Sequence, residues 1–170
     1  MKVYEGFHTV EVIDCEIKGE QVKREKLGIK SAVGALVIDS KNKMALVRQL
    51  RPVANKMTYE IPAGLLDKNG LTPKEVLIEE LQEECEIQKA EIVSFDETPF
   101  LHYYMVIGSS DATISIYKIK VTEQQSKLVQ DADVEEVLWK TLDEVKEMVE
   151  NKEIIDPKTL LSINEFEKTL

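Results

Sequence analysis

The 170-residue sequence is poor in the residues that mark disulfide-rich, zinc-binding or membrane proteins. It has two cysteines and two histidines, without the spacing of a zinc site. We expect Cys15 and Cys85 to be free thiols, because they lie far apart and Cys85 falls on the apolar side of a predicted helix. No segment approaches the roughly 18 apolar residues needed to cross a bilayer, and the first residues lack a signal-peptide core. These absences predict a cytoplasmic protein with no membrane partner.

Basic residues are also in deficit, with 22 lysines and arginines against 32 acidic residues and a net charge of −10. This charge repels polyanions, so we expect no nucleic-acid partner. A small phosphorylated ligand is compatible with this net charge if a cation screens the charge of the ligand. The length supports one well-buried core and is short for two ordinary domains, so residues 1–170 are predicted to form a single domain.

Extended segments dominate the predicted secondary structure. Residues 9–18 and 21–27, joined at Gly19, alternate as in a β-hairpin whose edges need a partner. Apolar runs predict the strands of a mixed sheet; they cover residues 31–38, 43–50, 90–95, 113–121 and 134–140.

Three helices are predicted from their start signals. A threonine followed by a glutamate three residues later, the capping box, marks helix starts at Thr72 and Thr141. A third helix follows Asp156 and Pro157. Its apolar residues are expected to face inward; they are Leu160, Leu161, Ile163 and Phe166.

The helix that starts at Thr72 carries a cluster of carboxylates in addition to an apolar stripe of Leu77, Ile78, Leu81 and Cys85. At about 100° per residue, Glu80 and Glu84 lie about 40° apart, and Glu83 lies about 60° to the other side of Glu80. Two interpretations are open: a solvated acidic face, or a site for a hard cation that prefers oxygen ligands. The second is favoured by Pro62 and Gly64 upstream, since a backbone carbonyl near Ala63 could approach the carboxylates.

The segment 60–64, Glu-Ile-Pro-Ala-Gly, followed by a loop and then Glu80, Glu83 and Glu84, resembles the Nudix family, most closely its ADP-ribose pyrophosphatase branch. Segments 31–37, 46–52 and 155–160 are also similar to that branch. The family pattern is Gly, five residues, Glu, seven residues, then Arg-Glu-apolar-any-Glu-Glu-any-Gly-apolar. This chain departs from it in four ways: a loop one residue longer, Leu71 for the intermediate glutamate, Glu79 for the arginine and Glu86 for the second glycine.

The resemblance implies an α/β fold, a Nudix-type α/β/α sandwich with a central mixed sheet and an N-terminal β-hairpin extension. Residues 1–28 would be the N-terminal strands, which pack across a two-fold axis in that branch, and residues 29–170 the Nudix fold. We therefore expect a homodimer.

The implied activity is hydrolysis of the pyrophosphate bond in ADP-ribose or a related nucleoside diphosphate derivative, with Mg²⁺, or alternatively Mn²⁺, as cofactor. Glu80, Glu84 and the Ala63 carbonyl would hold the metal. Glu83 would be a further ligand or a proton acceptor, and Asp133 a candidate base. Arg48, Arg51 and Glu60 are assigned to substrate binding. The alternative is a Nudix-fold protein with attenuated catalysis that binds a nucleotide ligand or a protein partner.

Overall fold

The computed structural model describes residues 1–68, 70–131 and 133–170. Its N-terminal part is an antiparallel three-stranded sheet in the order β1-β2-β3. The strands are β1 (Lys2–Glu5), β2 (Thr9–Ile17) and β3 (Glu20–Gly28). The β2–β3 hairpin confirms the predicted one. No residue from 1 to 31 is buried, so this sheet has no core of its own.

A larger mixed sheet forms the centre of the molecule, in the order β11-β12-β5-β4-β10-β8. Three further strands pair with interior strands of this order: β6 with β5, β7 with β4, and β9 with β10. The β4–β10 pair is parallel, and the other pairs are antiparallel. The strands are β4 (Ala32–Ile38), β5 (Met44–Arg51), β6 (Lys56–Glu60), β7 (Ala63–Leu65), β8 (Ile92–Phe95), β9 (Leu101–Tyr104), β10 (Thr113–Val121), β11 (Lys127–Leu128) and β12 (Val134–Lys140).

Helices cover both faces of this sheet because neighbouring strand residues point to opposite sides. Helix α1 (Pro73–Cys85) buries Leu77 and Leu81 in a cluster with Val47 of β5. Helices α2 (Leu142–Glu150) and α3 (Pro157–Thr169) pack on the other face, where Phe166 is fully buried with Leu46. The arrangement confirms the predicted α/β/α sandwich with a mixed sheet. None of these helices is long and apolar enough to cross a membrane, within the residues described.

The helix starts agree with the sequence signals. The hydroxyls of Thr72 and Thr141 each accept a hydrogen bond from the backbone N–H three residues on, and the glutamate carboxylate at that position accepts one from the threonine N–H. Asp156 caps α3 by accepting from the Thr159 N–H at 2.9 Å.

The predicted inward face of α3 is wrong in part. Leu160 and Leu161 are 37% and 45% exposed, whereas Thr159 and Ser162 are fully buried. The helix is rotated because Thr159 is fixed by a hydrogen bond from the Ile61 N–H to its hydroxyl at 2.9 Å. This rotation brings the start of α3 next to the segment that precedes Ala63.

Five strands were not predicted, namely β1, β6, β7, β9 and β11. All five are short, with two to five residues each. The expected strand at 90–95 begins only at Ile92, after a short 3-10 helix at Lys89–Glu91. Among the missed strands, β6 and β7 matter most, because they hold the loop in front of the acidic helix.

Candidate active site

The acidic face of α1 lines a cleft of about 620 Å³. Glu80, Glu83 and Glu84 all reach it, so the predicted sharing of one helix face is confirmed. The remaining wall comes from the sheet and from the start of α3. The other described residues that line the cleft are Ala32, Gln49, Arg51, Ala63, Gly64, Leu65, Asp67, Tyr103, Met105, Ile114, Asp131, Asp133, Asp156, Pro157 and Lys158.

Glu84 lies deepest of the three helix carboxylates. Its Oε2 accepts a hydrogen bond from the Ala63 backbone N–H at 3.1 Å, which joins α1 to the first residue of β7. Burial, together with the negative charge of Glu80, raises the pKa of Glu84 to about 8, against the lowering effect of this hydrogen bond. Burial also raises the pKa of Glu80. Carboxylates in this state favour a nearby cation, because it would offset the loss of hydration.

Gly64 permits the close approach of Glu80. A Cβ atom built on Gly64 would overlap the Glu80 carboxyl group. Gly64 pairs with Val33 in the sheet, so its backbone is not free to retreat. The absence of a side chain at Gly64 therefore creates the space in which the Glu80 carboxylate lies.

Arg51 reaches the cleft from the end of β5, anchored by a buried carboxylate. Its Nε and Nη2 donate to the two oxygens of Glu60 at 2.8 and 2.6 Å. Glu60 is 2% exposed and also pairs with Lys158 of α3. Burial alone would raise the pKa of Glu60, but the hydrogen bonds and charges of Arg51 and Lys158 outweigh it and lower that pKa to about 2. Glu60 is therefore placed to orient Arg51 from beneath the cleft.

Arg48 lies outside the described lining of the cleft. Residues three apart in a strand point to opposite faces, and Arg48 accordingly lies on the face opposite Arg51. Its Nη1 pairs with Glu135 at 2.5 Å and with Glu136 at 3.6 Å. It is absent from the described residues that line the cleft, although the sequence predicted both arginines near the substrate. Strand periodicity, applied to segment 48–51, would have separated them.

Asp133 does line the cleft, in the segment before β12. Its backbone N–H donates to Asp131 Oδ1 at 2.9 Å, and the Val134 N–H donates to the same oxygen at 3.0 Å. Asp131 therefore has a fixed side chain and also lines the cleft. Asp131 was not among the site residues predicted from the sequence. The available signal was an aspartate two residues before Asp133, which is the spacing of a side-chain-capped turn.

The chemistry of the donors fits a hard divalent cation, since Glu80, Glu83 and Glu84 offer only oxygen atoms. Among the described residues, no three His, Cys, Asp or Glu side chains stand together closely enough to hold an ion. Mg²⁺ does not need such a cage, because it is usually held by one or two carboxylates together with waters and substrate phosphates. Glu80 and Glu84 fit that mode of binding.

Comparison with known proteins identifies the family. Residues 28–160 match the family model of the NUDIX domain. The chain belongs to the Nudix family.

Several relatives of this Nudix chain have named activities. It is 33% identical over 162 residues to the methanol dehydrogenase activator of Bacillus methanolicus, covering 91% of this chain and 82% of that protein. It is 30% identical over 156 residues to the ADP-ribose pyrophosphatase of Bacillus subtilis, covering 89% and 80%. It is 26% identical over 132 residues to the uridine diphosphate glucose pyrophosphatase of Bos taurus, covering 75% and 57%.

The departures of this Nudix chain from the family pattern each have a structural counterpart. Lys68, in the lengthened loop, pairs with Glu79 at 2.7 Å and lies 3.9 Å from Glu80, so a cation stands near the position of the missing arginine. Leu71 packs against the core cluster beneath α1. Glu86 caps α1 with φ of 54°, a left-handed conformation that favours glycine, and pairs with Lys127 at 3.2 Å.

Proposed function

We propose that this protein hydrolyses the pyrophosphate bond of ADP-ribose or a related nucleoside diphosphate derivative with Mg²⁺ or Mn²⁺. The observation that carries the proposal is the convergence of three elements on one cleft. These are the carboxylates of α1, the Ala63–Gly64 segment that holds Glu84 and Glu80, and the anchored Arg51. The named activities of the pyrophosphatase relatives support the substrate class.

The charge of the cleft supports a requirement for metal. Its described lining has two cationic side chains, Arg51 and Lys158, and both already pair with Glu60. Seven carboxylates face them: Asp67, Glu80, Glu83, Glu84, Asp131, Asp133 and Asp156. A diphosphate would be repelled by this surface unless divalent cations entered with it.

The residues divide into three roles. Glu80 and Glu84 hold the metal, with the Ala63 carbonyl as a further ligand and Glu83 as a ligand or proton acceptor. When bound, the metal neutralises phosphate charge and lowers the pKa of the attacking water. Asp133 or Asp131 accepts the proton of that water from the segment before β12. Arg51 binds phosphate oxygens.

The free donors of Arg51 suit this role. A guanidinium has five N–H donors in a fixed plane, and Glu60 occupies one on Nε and one on Nη2. Three donors are left for substrate oxygens, in the geometry that favours paired hydrogen bonds to phosphate. Glu60 positions this group and, at 2% exposure, does not itself contact the substrate.

The test is product analysis. The pure protein is incubated with ADP-ribose, uridine diphosphate glucose and related compounds in Mg²⁺ or Mn²⁺, and products are resolved by ³¹P NMR. We expect a nucleoside monophosphate and a sugar phosphate, and no reaction in excess EDTA. Absence of products across the panel at high protein concentration would refute the proposal.

The second candidate is a Nudix protein that binds a nucleotide ligand without turnover. It is favoured by Glu79 beside the metal carboxylates, where the family pattern has arginine, and by the lack of a preformed three-acid metal cluster among the described residues. It predicts thermal stabilisation by ADP-ribose in Mg²⁺ without product. A ligand at a hundred times its Kd adds about 2.7 kcal/mol to the free energy of unfolding.

We also propose that the N-terminal sheet binds a second copy of the chain. It contains exposed apolar residues, including Val3, Tyr4 and Phe7 at 61%, 61% and 68% exposure. Three strands without a buried face need a partner to be stable. Light scattering should give the mass of a dimer at micromolar concentration, and a monomer mass would contradict this assignment.

A further inference from the structure

Gln49 is a buried amide in the wall of the cleft, on the same face of β5 as Arg51. It is 5% exposed and lines the cleft. Across residues 1–68, 70–131 and 133–170, its side-chain amide makes no hydrogen bond, whereas its backbone pairs with strands on both sides. A side-chain amide that borders a cleft and has no protein partner is available to hydrogen-bond a molecule that enters the cleft.

The polar side chains next to Gln49 are already hydrogen-bonded to other groups. Thr58 lies directly opposite Gln49 in the sheet, and its hydroxyl donates to Glu60 Oε1 at 2.5 Å. Arg51, two residues along the strand, is held by both oxygens of Glu60. Val134, opposite Gln49 on the other side, is apolar. The neighbouring side chains of these strands therefore provide no hydrogen-bond partner for the Gln49 amide.

The amide atoms are reached from the cleft. Among the described residues, no side-chain nitrogen or oxygen is both fully shielded from solvent and without a partner. The unpartnered Gln49 amide atoms therefore account for part of the small exposed area of this residue, and that area lies in the cleft wall. A ligand in the cleft can therefore hydrogen-bond this amide directly.

We propose that the Gln49 amide binds substrate by hydrogen-bonding an oxygen adjacent to the oxygens held by Arg51. This inference rests on the proposed function, in which the cleft takes a nucleoside diphosphate derivative. The amide offers two donors and one acceptor without adding charge. Phosphate oxygens and ribose hydroxyls are the two sources of such an oxygen in this substrate class.

The test replaces the amide with a side chain of similar length. Gln49→Met removes the hydrogen-bonding group but keeps the volume, so it should raise KM for ADP-ribose about three- to tenfold. The melting temperature should not fall, because no internal hydrogen bond is lost. The matched control is Gln124→Met, whose amide lies outside the cleft and donates to Glu91 at 2.7 Å. It should leave KM unchanged.

Three ligands distinguish the source of the oxygen. Binding of ADP-ribose, ADP and inorganic pyrophosphate is measured by calorimetry with Mg²⁺, at a temperature and time scale where turnover is negligible. Equal weakening of all three in Gln49→Met assigns the amide to the diphosphate. Weakening of ADP-ribose and ADP assigns it to the nucleoside ribose, and weakening of ADP-ribose alone to the terminal ribose.

The outcome separates this inference from the proposed function. If the wild type binds ADP-ribose without hydrolysing it, the proposed activity fails, while weaker binding by Gln49→Met still supports the role of the amide. If the wild type hydrolyses ADP-ribose and Gln49→Met has unchanged KM and Kd, the inference is overturned and the activity stands. A lower melting temperature with unchanged Kd would also overturn it, because that result indicates a structural amide.

Discussion

The Glu80 carboxyl group occupies the space that a side chain on Gly64 would fill. Gly64→Ala should therefore displace Glu80 or the β7 backbone. We expect a loss of turnover of at least about tenfold and a destabilisation of about 1 to 3 kcal/mol, typical of overpacking. Turnover and chemical denaturation measure the two effects. Gly108→Ala is the control, since a Cβ there meets no described atom within 4 Å; equal effects of both substitutions would contradict the proposed contact.

The two arginines of segment 48–51 should differ in function. Arg51→Ala removes hydrogen bonds between charged groups and should raise KM for ADP-ribose on the order of ten- to a hundredfold. Arg48→Ala should change KM little, because Arg48 pairs with Glu135 on the opposite strand face. Steady-state kinetics of both variants provide the measurement. A larger increase for Arg48→Ala would mean that the cleft is not the substrate site.

Glu60 should make the stability of the protein depend on pH in the acid range. Its pKa is lowered from 4.5 to about 2 in the folded protein, so its stabilising effect is complete above about pH 4.5 and declines as pH falls towards 2. At 1.36 kcal/mol per pKa unit, the effect is about 3 kcal/mol. Glu60→Gln should therefore be less stable than wild type at pH 7, and the difference should shrink between pH 4.5 and 2. A difference independent of pH, in urea unfolding, would contradict this account.

Glu86 tests the backbone conformation at the end of α1. With φ of 54°, a residue with a Cβ is strained, whereas glycine is not. Glu86→Gly and Glu86→Ala both remove the pair with Lys127, so they differ mainly in this strain. We expect Glu86→Gly to be more stable than Glu86→Ala by about 1 kcal/mol in denaturant unfolding. Equal stability of the two variants would show that the left-handed cap is relaxed in solution.

Much of the fold followed from local sequence signals. The capping boxes at Thr72 and Thr141 fixed two helix starts, because a cap depends on a few neighbouring residues. The apolar run of β4 predicted a central strand, and this strand is buried throughout. The inward face of α3 could not be predicted from Leu160 and Leu161, since its rotation depends on a hydrogen bond between Thr159 and the distant Ile61.

The candidate site was predictable only where its residues share one element. Helical spacing was enough to bring Glu80, Glu83 and Glu84 together. The Glu60–Lys158 pair joins residues 98 positions apart, so no local sequence pattern predicts it. Lys68 beside Glu79 similarly depends on how the loop folds back on α1.

Glu84 provides the most direct test of the central claim, that the acidic face of α1 holds the metal for hydrolysis. ADP-ribose turnover in Mg²⁺ is measured for wild type, for Glu84→Gln, which retains an oxygen that can accept from the Ala63 N–H, and for Glu147→Gln, an exposed glutamate on α2. We predict loss of turnover by about 100-fold or more in Glu84→Gln, with the fold intact, and wild-type turnover in Glu147→Gln. Wild-type turnover in Glu84→Gln would contradict the account.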